Sequence, residues 1–457
     1  VSAVADLTAK GAALAAARAG DFAGLPVYDR ARECAPREEV RALQLEKLKA
    51  QVAWTYDRVA WYRERMDALG VAPGDIRSLD DVHKLPFTDK SVLRDTFPYG
   101  LFAVPLDEVV ELHASSGTTG KPIVVGYNAH DMDVWSDCIA RLAQMAGVVP
   151  GDRVQMAFGY GMFTGGFGLH YGCQKLGCMM IPAGSGNTER HIAMIGDYGT
   201  TVLIATPSYA LHMCEVGERL GFDWKASTLR VGLFGGEPCP PGLKAEIEER
   251  MHIVCTDNYG LTEVMGPGVS GECLAARDMQ HIAEDHFLWE VVDPETGEPV
   301  GEGEMGELVL TPLDKQAIPV LRYRTHDLTR VVCEPCACGR TSARMQKVRA
   351  RCDDMLIIRG TNVFPSQVED VLSGIRGVTP HYRIVVETAN GLDRMTVHVE
   401  LKPEAFSDSF EEMEGLRRAI EEKLKGVLLV GVRVKLVEPG GIERTTGKAK
   451  HVEDLRK

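Results

Sequence analysis

Residues Ser115 to Pro122 read SSGTTGKP. Gly117 and Gly120 let a backbone wrap closely around an anion and aim N–H groups at it. Ser115, Ser116, Thr118 and Thr119 add hydroxyls, and Lys121 adds a point charge. A lone Gly/Ser/Thr run is most often a mobile surface loop. The phosphate loop of kinases and GTPases is a second reading, but it needs four residues between its glycines and a Ser or Thr after its lysine. Here two residues separate Gly117 from Gly120, and Pro122 follows Lys121. That reading fails.

Working outward, residues 151–257 alternate between two patterns. Strand-like runs (Val154–Phe158, Thr201–Ala205, Leu229–Phe234, Ile253–Asp257) are separated by helix-like stretches (Arg190–Tyr198, Ser208–Leu220, Pro241–Met251). The alternation predicts a largely parallel sheet with helices on its faces. Upstream, the apolar spacing predicts one helix from Glu38 to Leu69, stopped by Gly70. Downstream, Trp289–Val292 and Glu307–Thr311 flank a turn-rich DPETGEP, which reads as an antiparallel addition. From Asp353 the pattern becomes βαββαβ: Met355–Ile358, Pro365–Leu372, Tyr382–Glu387, Met395–Leu401, Phe410–Leu424 and Val432–Val437. That order predicts a small α+β domain.

Composition narrows the class. At 457 residues the chain is too long for one core, so two or more domains are expected. With 51 Lys plus Arg against 65 Asp plus Glu the net charge is −14, which argues against nucleic-acid or anionic-membrane partners. No apolar run reaches the ~20 residues of a membrane span. The Ala-rich start carries Arg18 and Asp21 and lacks a signal-peptide pattern, so a cytoplasmic protein is expected. Twelve cysteines in this length suit free thiols or metal ligands better than a disulfide scaffold.

Further motifs follow the first in order: FGGEP (Phe234–Pro238), DNYGLTE (Asp257–Glu263), YRTHD (Tyr323–Asp327), RCDDMLIIRGTNVFPSQVE (Arg351–Glu369) and RTTGK (Arg444–Lys448). Together with SSGTTGKP they resemble the adenylate-forming superfamily of acyl-CoA synthetases, luciferases and peptide-synthetase adenylation domains. LPFTDKSVLRDTFPYGLFAVP (Leu85–Pro105) and YGMFTGGFGLHYG (Tyr160–Gly172) narrow the resemblance to the phenylacetate-CoA ligases. It covers the chain from about Glu38 onward.

The resemblance implies an α/β fold: a large N-terminal domain over 1–352 that binds ATP and an aryl acid, and a small α+β lid over 353–457. It implies an AMP-forming acid–thiol ligase using ATP, Mg2+ and coenzyme A. Ser115 to Lys121 would cradle the departing phosphates. Gly235, Gly236, Glu237 and Pro238 form the adenine-side loop, beside Asp257, Asn258, Tyr259 and Gly260. Tyr259 offers a ring to adenine, while Asp257 and Gly236 meet its edge. Thr262 donates to the α-phosphate and Glu263 holds Mg2+. Asp327 accepts from the ribose hydroxyls with Arg351 nearby, and Arg349 is the alternative, because Ala350 replaces the Gly usual before the arginine. Lys448 bridges carboxylate and α-phosphate. Asp353 is the hinge, and the backbone at Gly360 and Thr361 meets the pantetheine arm. His326 stands where the superfamily often carries Gly. Family members are often homodimers.

Two clusters are read from the residues themselves. AFGYGMFTGGFG (Ala157–Gly168) mixes aromatics with Gly, so Phe158, Tyr160 and Phe163 either line an aryl slot or pack in the core. Cys336 and Cys338 of CEPCACGR, with Cys273 and His281, suit a closed tetrahedral zinc site, Cys333 being a substitute ligand. Reduced thiols in a turn are the alternative. Two other functions stay open: adenylation with an amine or carrier-protein acceptor, and a non-catalytic nucleotide or aryl-acid sensor.

Overall fold

The computed structural model describes residues 20, 22, 25–115, 122–348, 350–352, 356–359, 361–389, 392–407, 409–443 and 451–456. Helices α1 (Arg37–Arg58) and α2 (Ala60–Leu69) replace the single helix predicted from periodicity. The break is Val59, buried and extended at φ −111° and ψ 107°. Beyond the break, Tyr62 is in the core. Its hydroxyl meets Thr88 Oγ1 at 2.5 Å and accepts from the Leu321 N–H at 2.9 Å. A buried phenol with two partners offsets a helical turn lost at a β-branched residue. Gly70 ends α2 at φ 67°, as the sequence predicts.

Strands β1 (Val109–Ser115) and β2 (Ile123–Asn128) pair antiparallel on either side of residues 116–121. Then α3 (Ala129–Met145), β3 (Arg153–Met156), α4 (Thr164–Lys175), β4 (Met179–Ile181), α5 (Thr188–Tyr198), β5 (Val202–Ala205), α6 (Pro207–Arg219), β6 (Val231–Phe234), α7 (Pro241–Met251) and β7 (Val254–Leu261) follow in turn. Strands β4, β3, β5, β6 and β7 run parallel in that spatial order. Every residue of β5 and β6 is buried. Val202 and Ile204 point into one apolar cluster while Leu203 and Ala205 point into another, the period-two division of a sheet covered on both faces.

Next come β8 (Gly266–Cys273), β9 (Ala276–Ile282), β10 (Phe287–Val292), β11 (Gly306–Pro312), β12 (Tyr323–Thr329), β13 (Val331–Val332), β14 (Arg344–Gln346) and β15 (Ala350–Arg351). Strands β8, β9, β14 and β13 extend the main sheet antiparallel beyond β7. Strands β10, β11, β12 and β15 form a separate sheet, with β10 and β11 antiparallel as the turn between them predicts.

The C-terminal part comprises β16 (Leu356–Ile358), β17 (Thr361–Val363), α8 (Pro365–Ser373), β18 (Val378–Ala389), β19 (Leu392–Leu401), α9 (Phe410–Leu428), β20 (Val432–Val437) and β21 (Val452–Asp454). It has its own apolar cluster, from Leu356 to Val434. Two details differ from the predicted βαββαβ. Strand β16 pairs with β17 rather than joining the four-stranded sheet. That sheet, ordered β20-β19-β18-β21, takes as its edge a three-residue strand too short to show periodicity. This part leans on α6 and α7: His381 lies 3.9 Å from Glu215, Lys402 3.7 Å from Glu246, and Ser373 beside Gly242. Among the described residues no helix is long and apolar enough to cross a membrane.

Candidate active site

The predicted site residues gather where the parallel strands end. The segment after β3 carries Phe158, Tyr160 and Phe163; Thr206 and Ser208 follow β5; Gly235 to Pro238 follow β6; and Asp257 to Gly260 lie on β7 itself. Ligands of open α/β sheets bind at this carboxyl edge. Gly236 adopts φ 82°, a conformation other residues rarely take. A side chain at Gly260 would collide with the Gly266 carbonyl across the β7–β8 pair. Asn258 Nδ2 donates to the Phe234 carbonyl at 2.5 Å, which ties β7 to the start of the Gly235 loop. Glu237 accepts from the Ser208 N–H at 2.7 Å, and Pro238 is exposed.

Asp327 and Arg351 are cross-strand partners on β12 and β15. The Arg351 guanidinium donates to Asp327 Oδ1 at 2.7 Å, and the Tyr259 hydroxyl donates to Oδ2 at 2.6 Å. Burial first, then the Asp327 charge, push the Tyr259 phenol well above its ordinary value, so it stays a donor. Arg349 lies outside the described residues. His326 has φ 62°, which explains why Gly is usual there; its N–H donates to Glu307 Oε1 at 3.0 Å.

Thr262 and Thr164, the first residue of α4, face each other at 3.0 Å between hydroxyl oxygens. Glu263 is buried and lies 3.3 Å from the Lys90 ammonium. Nothing in the sequence assigns Lys90 a role, although it stands inside LPFTDK. A second missed group lies behind Asp257. Glu272 on β8 accepts from the Asp257 N–H at 2.7 Å and pairs with Lys244 at 2.5 Å and Lys347 at 2.8 Å. Burial pushes the Asp257 carboxyl up, against the pull of Lys347, with Glu272 adding to the rise. Isolated lysines and glutamates carry no local signal that would have found this network.

Of the three candidate aryl residues, Phe158 and Phe163 meet, with ring centroids 6.2 Å apart. The Phe158 ring also lies beside Gly236. Phe163 is 47% exposed. Tyr160 turns elsewhere: its ring packs edge-on to Phe167 and its hydroxyl reaches His170 Nδ1 at 2.9 Å. Thr361 sits on β17. The backbone of Ser115 ends β1. Ser116, Gly117, Thr118, Thr119, Gly120, Lys121, Asp353, Gly360 and Lys448 lie outside the described residues.

Cys273 on β8, His281 on β9, and Cys336 and Cys338 on the β13–β14 connection are all buried, with ligand atoms within 4.8 Å of one another. Cys273 Sγ lies 3.7 Å from Cys336 Sγ, and Cys338 Sγ lies 3.5 Å from His281 Nε2. Tetrahedral zinc with ordinary bond lengths sets such edges at about 3.8 Å for S···S and about 3.6 Å for S···N. His281 Nδ1 meets Ser342 Oγ at 2.9 Å, the outer partner that orients a metal-binding imidazole. Cys333 stands apart, 4.0 Å from Arg37 Nη2.

The family described as AMP-binding enzyme matches residues 13–311, and the AMP-binding enzyme C-terminal domain matches residues 360–456. The phenylacetate-coenzyme A ligase of Aromatoleum evansii is 47% identical over 426 residues, covering 93% of this chain and 96% of that protein. The enzyme of the same name from Escherichia coli (strain K12) is 45% identical, with 93% and 97% covered. Among solved structures, 2-hydroxyisobutyryl-CoA ligase in the postadenylation state with 2-HIB-AMP superposes with a TM-score of 0.88 at 27% identity, covering 95% of this chain and 94% of that one. The same ligase with 2-HIB-AMP and CoA in the thioesterification state gives 0.70 at 28% identity, with 94% of each chain covered.

Proposed function

The chain belongs to the AMP-binding enzyme family, and from that membership we propose that it is an aryl-acid:coenzyme A ligase of the phenylacetate type. One observation carries the reading. The Phe158–Phe163 pair and Tyr259, which binds Asp327 and through it Arg351 of the separate sheet, lie at the carboxyl edge of the parallel strands, in a chain 44–47% identical to phenylacetate-CoA ligases over nearly its whole length.

In the first step a carboxylate oxygen of the acid attacks the α-phosphorus of ATP, and the bond to the β-phosphate oxygen breaks, releasing pyrophosphate. In the second the thiolate of coenzyme A attacks the acyl carbon, and AMP leaves. Asp327 takes the ribose hydroxyls, with Tyr259 and Arg351 fixing its carboxylate. Thr262 serves the α-phosphate, held in place by Thr164. Ser115 to Lys121 take the departing phosphates. Glu263 is the carboxylate for Mg2+, which screens phosphate charge when bound; Lys90 supplies its counter-charge otherwise. Lys448 offsets the repulsion between carboxylate and α-phosphate.

Residues 353–457 act as a lid turning about Asp353, since Lys448 and the thiol cannot reach one carbon together, and Gly360 and Thr361 then meet the pantetheine arm. The better superposition on the postadenylation state supports a lid on the adenylation side of that motion. The Cys/His cluster is read as structural zinc, closed to substrate by its four protein ligands. Among the described residues the cysteines form no disulfide, which supports a reducing, cytoplasmic setting. A homodimer is the assembly the resemblance implies.

Incubation with ATP, Mg2+ and a panel of aryl and aliphatic acids, with and without coenzyme A, tests the reading. Pyrophosphate with an aryl acid and thioester only with coenzyme A are expected. Amide formation with an amine instead would change the acceptor, and no pyrophosphate with any acid would leave a sensor. Phe163→Ala tests the pocket. The KM for the acid should rise roughly tenfold or more while that for ATP moves less than about twofold, since burying a ring contributes a few kcal/mol.

A further inference from the structure

The segment Gly159–Phe163 contains two glycines and no regular structure, yet Phe163 must hold one place against Phe158. Such a segment is costly to order without an anchor. The anchor is the Met162 carbonyl, which accepts from the Ala114 N–H at 2.9 Å and meets His113 Nδ1 at 3.1 Å. Both partners lie on β1, the strand that leads directly into Ser115.

His113 is buried and held on every side. Its Nε2 lies 2.6 Å from Glu111 Oε1, and the second oxygen of Glu111 accepts from the Tyr171 hydroxyl of α4 at 2.7 Å. The Met162 carbonyl can only accept, so the ring carries a hydrogen on Nδ1, while Glu111 holds the ring from its Nε2 side. Burial opposes charge on Glu111, but the bonds from His113 and Tyr171 outweigh it and keep that carboxyl below its ordinary value. Around the ring, Tyr127 of β2 and Trp135 of α3 present edge-on faces at 5.7 and 6.0 Å, and Phe167 of α4 lies at 5.6 Å. Phe167 in turn carries Tyr160.

We propose that His113 is a positioning residue for the acid. Its Nδ1–H fixes the Met162 carbonyl and so sets the aryl segment in register with the strand that enters the phosphate loop. The inference rests on the aryl-acid ligase reading. It assigns the acid's affinity, rather than ATP binding or overall stability, to one hydrogen bond outside the motifs. Glu111 and Tyr171 act through His113 by holding its ring.

Side-chain geometry supplies the test. Asn places its amide nitrogen near Nδ1 of His, and Gln places its own near Nε2. The full chain is assayed by pyrophosphate exchange at varied acid and varied ATP, as wild type, His113→Phe, His113→Asn and His113→Gln, with thermal unfolding alongside. In His113→Phe the KM for the acid should rise at least about tenfold, with kcat and the KM for ATP within about threefold, since a part-buried carbonyl loses one of its two donors. His113→Asn should restore the acid KM to within about threefold of wild type, and His113→Gln should not. If His113→Phe does not fold, the Asn and Gln variants decide alone. Equal acid KM values in those two, or recovery in Gln rather than Asn, would overturn the proposal. A wild-type protein silent with every aryl acid would overturn the ligase reading itself and this one with it.

Discussion

The Cys/His cluster and the face between the C-terminal part and α6–α7 are built on opposite terms. In the cluster, four buried ligand atoms lie within 4.8 Å of one another, and the side chains come from two strands and a connection. At the other face the contacts include His381–Glu215 at 3.9 Å and the Lys402–Glu246 ion pair at 3.7 Å, between partly exposed side chains. Moving any member of the cluster would strand the other three in the interior. Exposed ion pairs near 4 Å contribute about 0–1 kcal/mol each and exchange readily for water. One region is therefore a fixed point for β8, β9 and β14, and the other has the weak contacts that the proposed lid motion requires.

That contrast can be broken at several places. The largest effect is expected at Lys448, in the part proposed to move. Lys448→Ala should slow adenylate formation by roughly 10²–10³-fold, the scale of losing one transition-state donor. Thioester formation from supplied acyl-adenylate should stay within a few-fold, and equal loss in both half-reactions would remove the lysine from the first step. Next comes the pivot. Proline at 353 locks φ, so Asp353→Pro should leave adenylation intact while thioester output falls by roughly 10–100-fold. Rapid-quench traces should show acyl-adenylate accumulating, and full turnover in the folded variant would put the pivot elsewhere.

The fixed side predicts a stability effect instead. Purified protein should carry about one zinc per chain, and Cys336→Ser should lower metal content and melting temperature together, the latter by roughly 5–10 °C. Metal analysis that finds no zinc in protein never exposed to chelator would dissolve the contrast.

The smallest effect concerns pH. Burial, then the neighbouring Glu237 and Asp370 charges, raise the Glu369 carboxyl from 4.5 to about 8. A raised carboxyl means the docked arrangement binds a proton that the open one releases. The contribution to docking is complete below 4.5 and lost as pH rises through about 8. Small-angle scattering should show the wild type expanding modestly between pH 6 and 9, with Glu369→Gln flat. Superposable curves would discharge Glu369 from docking.

Much of this was legible in the sequence, and what was legible was local. The buried runs of β5 and β6 read as strands because both faces are covered, and Gly70 read as a stop because only glycine takes that conformation freely. The Cys/His set read as one group because thiols and imidazole at short spacing share a chemistry, although Cys273 and Cys336 are 63 residues apart. Tertiary structure alone decided the partners of ordinary residues. Val59 breaks a helix to bury Tyr62, Lys90 comes to Glu263, Lys347 to Glu272, and His113 to the Met162 carbonyl. A periodic pattern records which face of an element is apolar. It carries no record of which distant element will supply the missing donor or charge, because that choice is made only when the faces pack.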